Sequence, residues 1–436
     1  MVKVLVITYY WPPSGGSGVQ RWLYFCKYLS DFGFEPVVLT VDPEKASYKY
    51  IDENLLDEVA SIETYRTNTW ELLKTYSLLT TGNRKKGIPH GDVNKNKKGL
   101  LYKVSAYVRG NFFIPDARKG WNKFAIKKAR EIIKHNDIPV VITTGPPHST
   151  HFIGNELKKE LDVRWLADFR DPWTDLYYNK DLMRTKRSNA KDAAMEIQIL
   201  KNADTVLTIG EKLKELLRSK VSGPHEKFYH IFNGYDARKM SPLKAERHNH
   251  FEMTFIGVLS PNQSYRALLE SIKLFLTKND SADVKLCFAG NTHNEVQRAF
   301  EEELSGVPMQ FHGYVSHEKS LQFMKNSQLL LNCLAEMEHS EILISGKQME
   351  YLATGNPILC FGNEKGESAI LFKDFSNAEI FEKNRVHDAY EFIQLVYDRW
   401  KQGTPFVNEI DDERILAKSR KETTRELSQL LEKLIN

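Results

Sequence analysis

Short apolar runs, rich in β-branched residues, alternate with amphipathic stretches along almost the whole chain, and this rhythm narrows the possible folds more than any other feature. Residues 2–8 read as a strand, and residues 19–32 as a helix with apolar positions three and four apart. Residues 34–41 form the next strand; 139–143 and 163–167 follow, each ending in turn chemistry. Residues 205–209 come after the helix-like KDAAMEIQILKNA. Continuous apolar strands separated by helices need cover on both faces, which is the pattern of parallel sheets.

The rhythm pauses over the polar residues 236–250 and then restarts. Strands are expected at 253–258, 284–289, 309–311, 329–334 and 357–361, with a helix at 265–276. Two such series predict an α/β chain of two doubly wound domains, 1–240 and 250–410. A chain of 436 residues is too long for one ordinary core, which agrees. Residues 413–435 have helical periodicity and no strand after them, so a last helix at about 413–436 is expected to pack back on the first domain.

Composition removes other classes. With 41% hydrophobic and 27% charged residues, the chain is neither largely disordered nor a fibrous repeat. A net charge of +4 is too small an excess to imply nucleic acid as a partner. Cys26, Cys287, Cys333 and Cys360 lack paired spacing, and three sit in strand-like runs, as buried free thiols do. The opening MVKVLVITYYWPP reads as a first buried strand rather than a signal peptide, and no window reaches the roughly 20 apolar residues of a membrane span. A cytoplasmic protein is expected. The basic stretch RKKGIPHGDVNKNKK, followed by Tyr102, Tyr107, Phe112, Phe113 and Trp121, has two readings. It is either a solvated loop beside core aromatics or a peripheral contact with an anionic membrane on its inner face.

Four motifs carry candidate chemistry. The turn PPSGGSGVQR follows the first strand, and Gly15 and Gly16 let backbone approach an anion at a helix start, or else simply make the turn. LADFRDPW places Asp168, Arg170 and Asp171 just after an apolar strand, where a sheet of this class faces its ligand. The alternative is a salt-bridged turn. TTGPPHSTH ends the preceding strand, and His148 there is either a surface residue or a substrate contact; His148 and His151 stand three apart, but no third ligand at metal spacing accompanies them. In SGKQMEYLATGNPIL, Ser345 caps a helix whose first turn holds Gly346 and Lys347, a setting suited to a diphosphate. Glu350 follows one turn on, placed for ribose hydroxyls or for solvent.

Together these segments resemble the GT-B glycosyltransferases of family 4. The likeness extends over NGYD at 233–236, FIGVLS, FHGYVSHEKSL and IPDARKGW, the last similar to a bacterial surface-polysaccharide subgroup. It implies two Rossmann-like domains, a nucleotide-sugar donor held mainly by the second, and a lipid-linked or polysaccharide acceptor held mainly by the first. It also implies retention of anomeric configuration with no metal or other cofactor. On this basis Gly15, Gly16, Gly257, Arg266, Tyr314, Val315, Ser345, Gly346, Lys347 and Glu350 are donor-binding candidates. Asp168, His148, Arg170 and Asp171 are the catalytic ones.

The chain departs from the family pattern twice. Of the usual two glutamates, Glu350 matches the second, while Ile342 stands at the first with Glu341 beside it. The arginine and lysine that usually clamp the diphosphate are replaced by Val258 and Gln263, leaving Arg266 and Lys347 as the nearest substitutes. Two other functions therefore stay open: a nucleotide-sugar 2-epimerase, and a donor-binding assembly subunit without turnover.

Overall fold

The computed structural model describes residues 1–48, 50–70, 100–223, 225–246, 249–279, 283–404 and 413–436. The chain divides into two compact units, Met1–Phe232 with Thr424–Asn436, and Asn233–Thr423.

In the first unit β1 (Val2–Ile7), β2 (Phe34–Val41), β3 (Glu63–Thr67), β4 (Val140–Gly145), β5 (Arg164–Phe169), β6 (Thr205–Thr208) and β7 (Phe228–His230) form one sheet in the order β3-β2-β1-β4-β5-β6-β7. Every neighbouring pair is parallel. Val4, Leu5, Val6 and Ile7 are fully buried, because a central parallel strand is covered on both faces. The two outermost strands were not expected from sequence. ETYRT and FYH lie at sheet edges and carry too little apolar patterning to stand out.

Among the described residues the helices of this unit include α1 (Ser17–Leu29), α2 (Leu100–Phe112), α3 (Asn122–Asn136), α4 (His151–Glu160), α5 (Lys186–Asn202) and α6 (Glu211–Ser219). The first is shorter than its periodicity suggests. Ser30–Phe32 tightens into a 3₁₀ turn, and Gly33 at φ 84° redirects the chain into β2. The expected terminal helix is broken into Glu413–Leu416 and a longer piece, Arg420–Ile435. Leu427, Leu430 and Leu431 of the longer piece join Val4, Val6, Trp22 and Leu23 in the core of the first unit. Each buried leucine contributes about 1.5–3 kcal/mol before entropy, enough to fix that helix on the sheet's cover layer.

The second unit repeats the plan. β8 (Phe251–Ile256), β9 (Val284–Ala289), β10 (Met309–Gly313), β11 (Leu329–Cys333), β12 (Ile358–Phe361) and β13 (Ala378–Phe381) pair in parallel in the order β10-β9-β8-β11-β12-β13. Its helices include α7 (Tyr265–Leu276), α8 (Asn294–Glu303), α9 (His317–Asn326), α10 (Gly346–Thr354) and α11 (Val386–Lys401). Phe251, Phe255, Phe275, Phe288 and Tyr397 fill the core between sheet and helices. The thiols of Cys26, Cys287, Cys333 and Cys360 are free and buried.

In each sheet the order reverses once, between β1 and β4 and between β8 and β11. The connections leaving these strands diverge to opposite faces, so a crevice opens at their carboxyl ends, where ligands bind in open α/β sheets. The basic stretch at 84–98 lies outside the described residues. Of the aromatics after it, Tyr107 and Phe112 are exposed and Trp121 is buried. Among the described residues no helix is long and apolar enough to cross a membrane.

Candidate functional site

The carboxyl ends of β4 and β5 bring His148, Asp168, Arg170 and Asp171 into one neighbourhood of the first unit, as their strand positions required. Their roles separate on inspection of contacts. Asp168 is fully buried. Its Oδ1 accepts from Arg21 Nε at 3.1 Å, and its Oδ2 accepts from Trp22 Nε1 at 2.7 Å and Thr144 Oγ1 at 2.8 Å. A carboxylate with no exposed surface and both oxygens engaged cannot touch a substrate. The expected catalytic role is replaced by an internal ion pair that ties α1 to the sheet.

Arg170 is also committed to structure. Its Nε donates to Gly145 O at 3.1 Å and its Nη2 to Pro146 O at 2.6 Å, while Nη1 donates to Gly18 O. One guanidinium thus joins the proline turn after β4 to the glycine turn after β1. Asp171 differs: it is half-buried, desolvation raises its pKa, and it makes no hydrogen bond through its carboxylate among the described residues. It remains the acidic group of the four with capacity for a ligand.

His148 is buried rather than on the surface. Its ring stacks on Trp173 with centroids 5.0 Å apart and planes 10° apart, and neither ring nitrogen has a hydrogen-bond partner. Burial first, then His151, Arg170 and Lys220, holds its pKa well below the ordinary histidine value, so the ring is neutral at physiological pH. A neutral imidazole can donate from one nitrogen and accept at the other. His151 is an internal residue, with Nδ1 2.9 Å from Thr143 Oγ1 and a pKa pushed down to about 3 by burial.

A cavity of about 240 Å³ adjoins His148. It lies where the connections from β1, β4 and β5 meet, with Tyr10, Pro146, Pro147 and Trp173 among its walls and Arg109, Arg118 and Arg184 around it. Asp116, also in its wall, accepts from Ser149 N at 2.7 Å, Ser149 Oγ at 2.8 Å and Arg118 N at 2.8 Å. Asp116 and Arg118 belong to the IPDAR segment, and neither stands among the residues expected from sequence to form the site. The signal available was an acidic residue held just after a proline beside the histidine turn. Gly15 and Gly16 lie at the start of α1. Gly15 N donates to Tyr50 O, and Gly16 at φ 91° supplies the cap that a residue with a side chain adopts only under strain.

In the second unit Lys347 projects from the first turn of α10 to the end of β8. Its ammonium donates to Ile256 O, lies 3.9 Å from the centre of the Phe255 ring, and flanks Gly257. Desolvation lowers its pKa to about 8. Gly257 has φ 103°, and the approach of its carbonyl to Gly290 leaves no room for a Cβ there. Ser345 caps α10, its N–H donating to Gln348 Oε1 at 2.9 Å to close a capping box. A Cβ at Gly346 would meet nothing within 4 Å, while the capping box takes the Gln348 N–H. Glu350 is not a solvent-facing charge: its Oε1 is 2.8 Å from His317 Nε2 on α9, a partner sequence reasoning missed.

Among the remaining donor candidates, Arg266 pairs with Glu303 on α8 and donates to Tyr265 OH. Gln263 is tied down, with Nε2 donating to Cys333 O at 2.7 Å. Tyr314 is 94% exposed after β10, and Val315 is half-buried beside it.

No family model matches the chain, and no curated protein matches it by sequence. Solved structures do. Sucrose-phosphate synthase from Thermosynechococcus elongatus superposes with a TM-score of 0.62 at 13% identity, over 100% of this chain and 99% of that one. Anabaena HepE in complex with UDP gives 0.63 at 10% identity, over 99% and 100%. The chain has the GT-B fold. A Listeria monocytogenes protein assigned as a UDP-N-acetylglucosamine 2-epimerase also aligns, with a TM-score of 0.52 at 10% identity over 99% and 96%. GT-B architecture therefore carries more than one chemistry among its structural relatives.

Proposed function

We propose that the protein is a retaining, metal-independent glycosyltransferase that moves a sugar from a nucleotide-sugar donor to a lipid-linked or polysaccharide acceptor, as in family 4 and its surface-polysaccharide subgroup. The observation that carries this reading is the Lys347 ammonium beside Gly257 at the carboxyl end of β8, in the first turn of α10. In this reading the second domain holds the donor, with Glu350 on the ribose, and the first domain holds the acceptor. Breaking the anomeric bond puts negative charge on the departing diphosphate and positive charge on the sugar. A fixed helix terminus and an ammonium stabilise the former without reorganisation, and losing one such group costs on the order of 3 kcal/mol of barrier. His148 and Asp171 are the groups proposed to meet the acceptor hydroxyl or the sugar cation. Contact with an anionic membrane belongs to the same proposal.

Two other readings have specific support. The epimerase relative favours chemistry on the donor alone. Val258 and Gln263 in place of the usual clamp, with Gln263 bonded to Cys333 O, favour a binding subunit without turnover. Incubating the protein with labelled nucleotide sugar, with and without lipid-linked acceptor, separates all three. Transfer with retained configuration supports the proposal; a changed donor without acceptor indicates epimerisation, and binding with neither product indicates the subunit.

A further inference from the structure

The cavity beside His148 has an electrostatic imbalance that its own walls do not resolve. Asp192 accepts from Trp173 Nε1 at 2.8 Å and pairs with Arg184, and Asp116 is taken by Ser149 and the Arg118 backbone. The Arg118 guanidinium donates to Ser47 O at 3.0 Å and lies over the Tyr9 ring. Arg109, in the last turn of α2, is the exception. It lines the cavity half-buried, its Nε is buried without a hydrogen-bond partner, and it joins no ion pair among the described residues. Placing a cation against aromatic and proline walls is unfavourable unless an anion meets it.

We propose that this cavity binds the anionic headgroup of the acceptor, a phosphate or carboxylate joined to a sugar-sized body, with Arg109 as the contact to the anion. The word acceptor rests on the glycosyltransferase reading; the anion site does not. Size limits the occupant: about 240 Å³ is below the roughly 300–1,000 Å³ of drug-sized sites, so a headgroup or single sugar fits inside and any chain attached to it lies outside. Chemistry selects it as well. A guanidinium binds oxyanions in a fork of two hydrogen bonds, Tyr10 in the wall adds aromatic surface suited to a sugar, and the unsatisfied nitrogens of His148 can meet a hydroxyl-bearing ligand. The location agrees, because the sheet order reverses here.

The test is calorimetric titration of the full chain, with UDP in excess, using glucose 1-phosphate, glucuronate, decyl phosphate and neutral glucose. At least one anionic probe is expected to bind saturably, glucose to give no measurable binding, and Arg109→Gln to weaken the anionic probe by at least about tenfold. Arg109→Lys should recover part of the loss, and Arg130→Gln, a distant surface change, should leave the affinity unaltered. Tighter binding of decyl phosphate than of glucose 1-phosphate assigns a lipid phosphate, and the reverse a soluble sugar phosphate. Equal affinity of the parent and Arg109→Gln, or failure of every anionic probe to bind the parent, overturns the site. UDP affinity, measured separately, is expected to be unchanged in Arg109→Gln, and its absence in both proteins would remove the donor reading while leaving the anion result to stand by itself.

Discussion

Arg21 Nε donates to Asp168 Oδ1 at 3.1 Å inside the first unit, with 4% of Arg21 and none of Asp168 exposed. The pair joins α1 to β5, and Arg21 Nη1 reaches on to Ile231 O at 2.8 Å. Asp168→Asn removes one charge and strands the other, which in a buried pair costs about 3–5 kcal/mol. Urea denaturation should show that loss as a lower midpoint with an unchanged slope. A variant as stable as the parent but inactive would restore Asp168 to the chemistry.

Lys347 makes two opposite predictions over one pH range. Its folded pKa of about 8 lies below the roughly 10.4 of an unfolded lysine, so between these values the unfolded chain holds more protons. Stability of the donor-free protein should therefore rise from about pH 8 to about pH 10, and the gain should vanish in Lys347→Met. Donor affinity should fall over the same range as the ammonium loses its charge. Parallel pH series of melting temperature and nucleotide affinity check both signs.

Gly290 has φ 131°, and a Cβ there would stand 2.1 Å from Gly257 O. Gly290→Ala must push the β8 terminus aside and is expected to cost about 3 kcal/mol through overlap and backbone strain. Nucleotide affinity should drop in the folded fraction, because Gly257 and Lys347 move together. Chemical denaturation and nucleotide titration of the same sample measure the two effects.

The four thiols should be inert in the native state. Burial pushes Cys287 and Cys360 up to about 12, and raises Cys26 and Cys333 further. A thiolate-specific reagent at pH 8 should label none of them rapidly and all four after unfolding in urea.

The architecture was largely legible in the residue pattern. Strands such as β2 and β9 and the helix α7 match their expected bounds, because continuous apolar runs and helical spacing are direct consequences of burial. β3, β7 and β13 were missed because short edge strands need little apolar content. The site was legible only as a location. Sequence placed Asp168 after a strand but could not show that Arg21, Trp22 and Thr144 would surround it, since those partners come from other elements of the fold. For the same reason it proposed Arg266 for the diphosphate, where Glu303 claims it, and missed His317 beside Glu350. Gln263, one of the two departures from the family pattern, is held by its bond to Cys333 O, a contact that its position in the sequence did not reveal.

Melting temperature measured against a panel of UDP-, GDP-, ADP- and TDP-sugars, for the parent, Lys347→Met and Glu350→Ala, addresses the donor site directly. One nucleotide class should raise the parent's melting temperature, since ligand bound only to the native state stabilises it, and both variants should lose most of that shift while remaining folded. No shift with any nucleotide sugar, or an equal shift in all three proteins, would contradict a donor diphosphate at Lys347 with its ribose at Glu350.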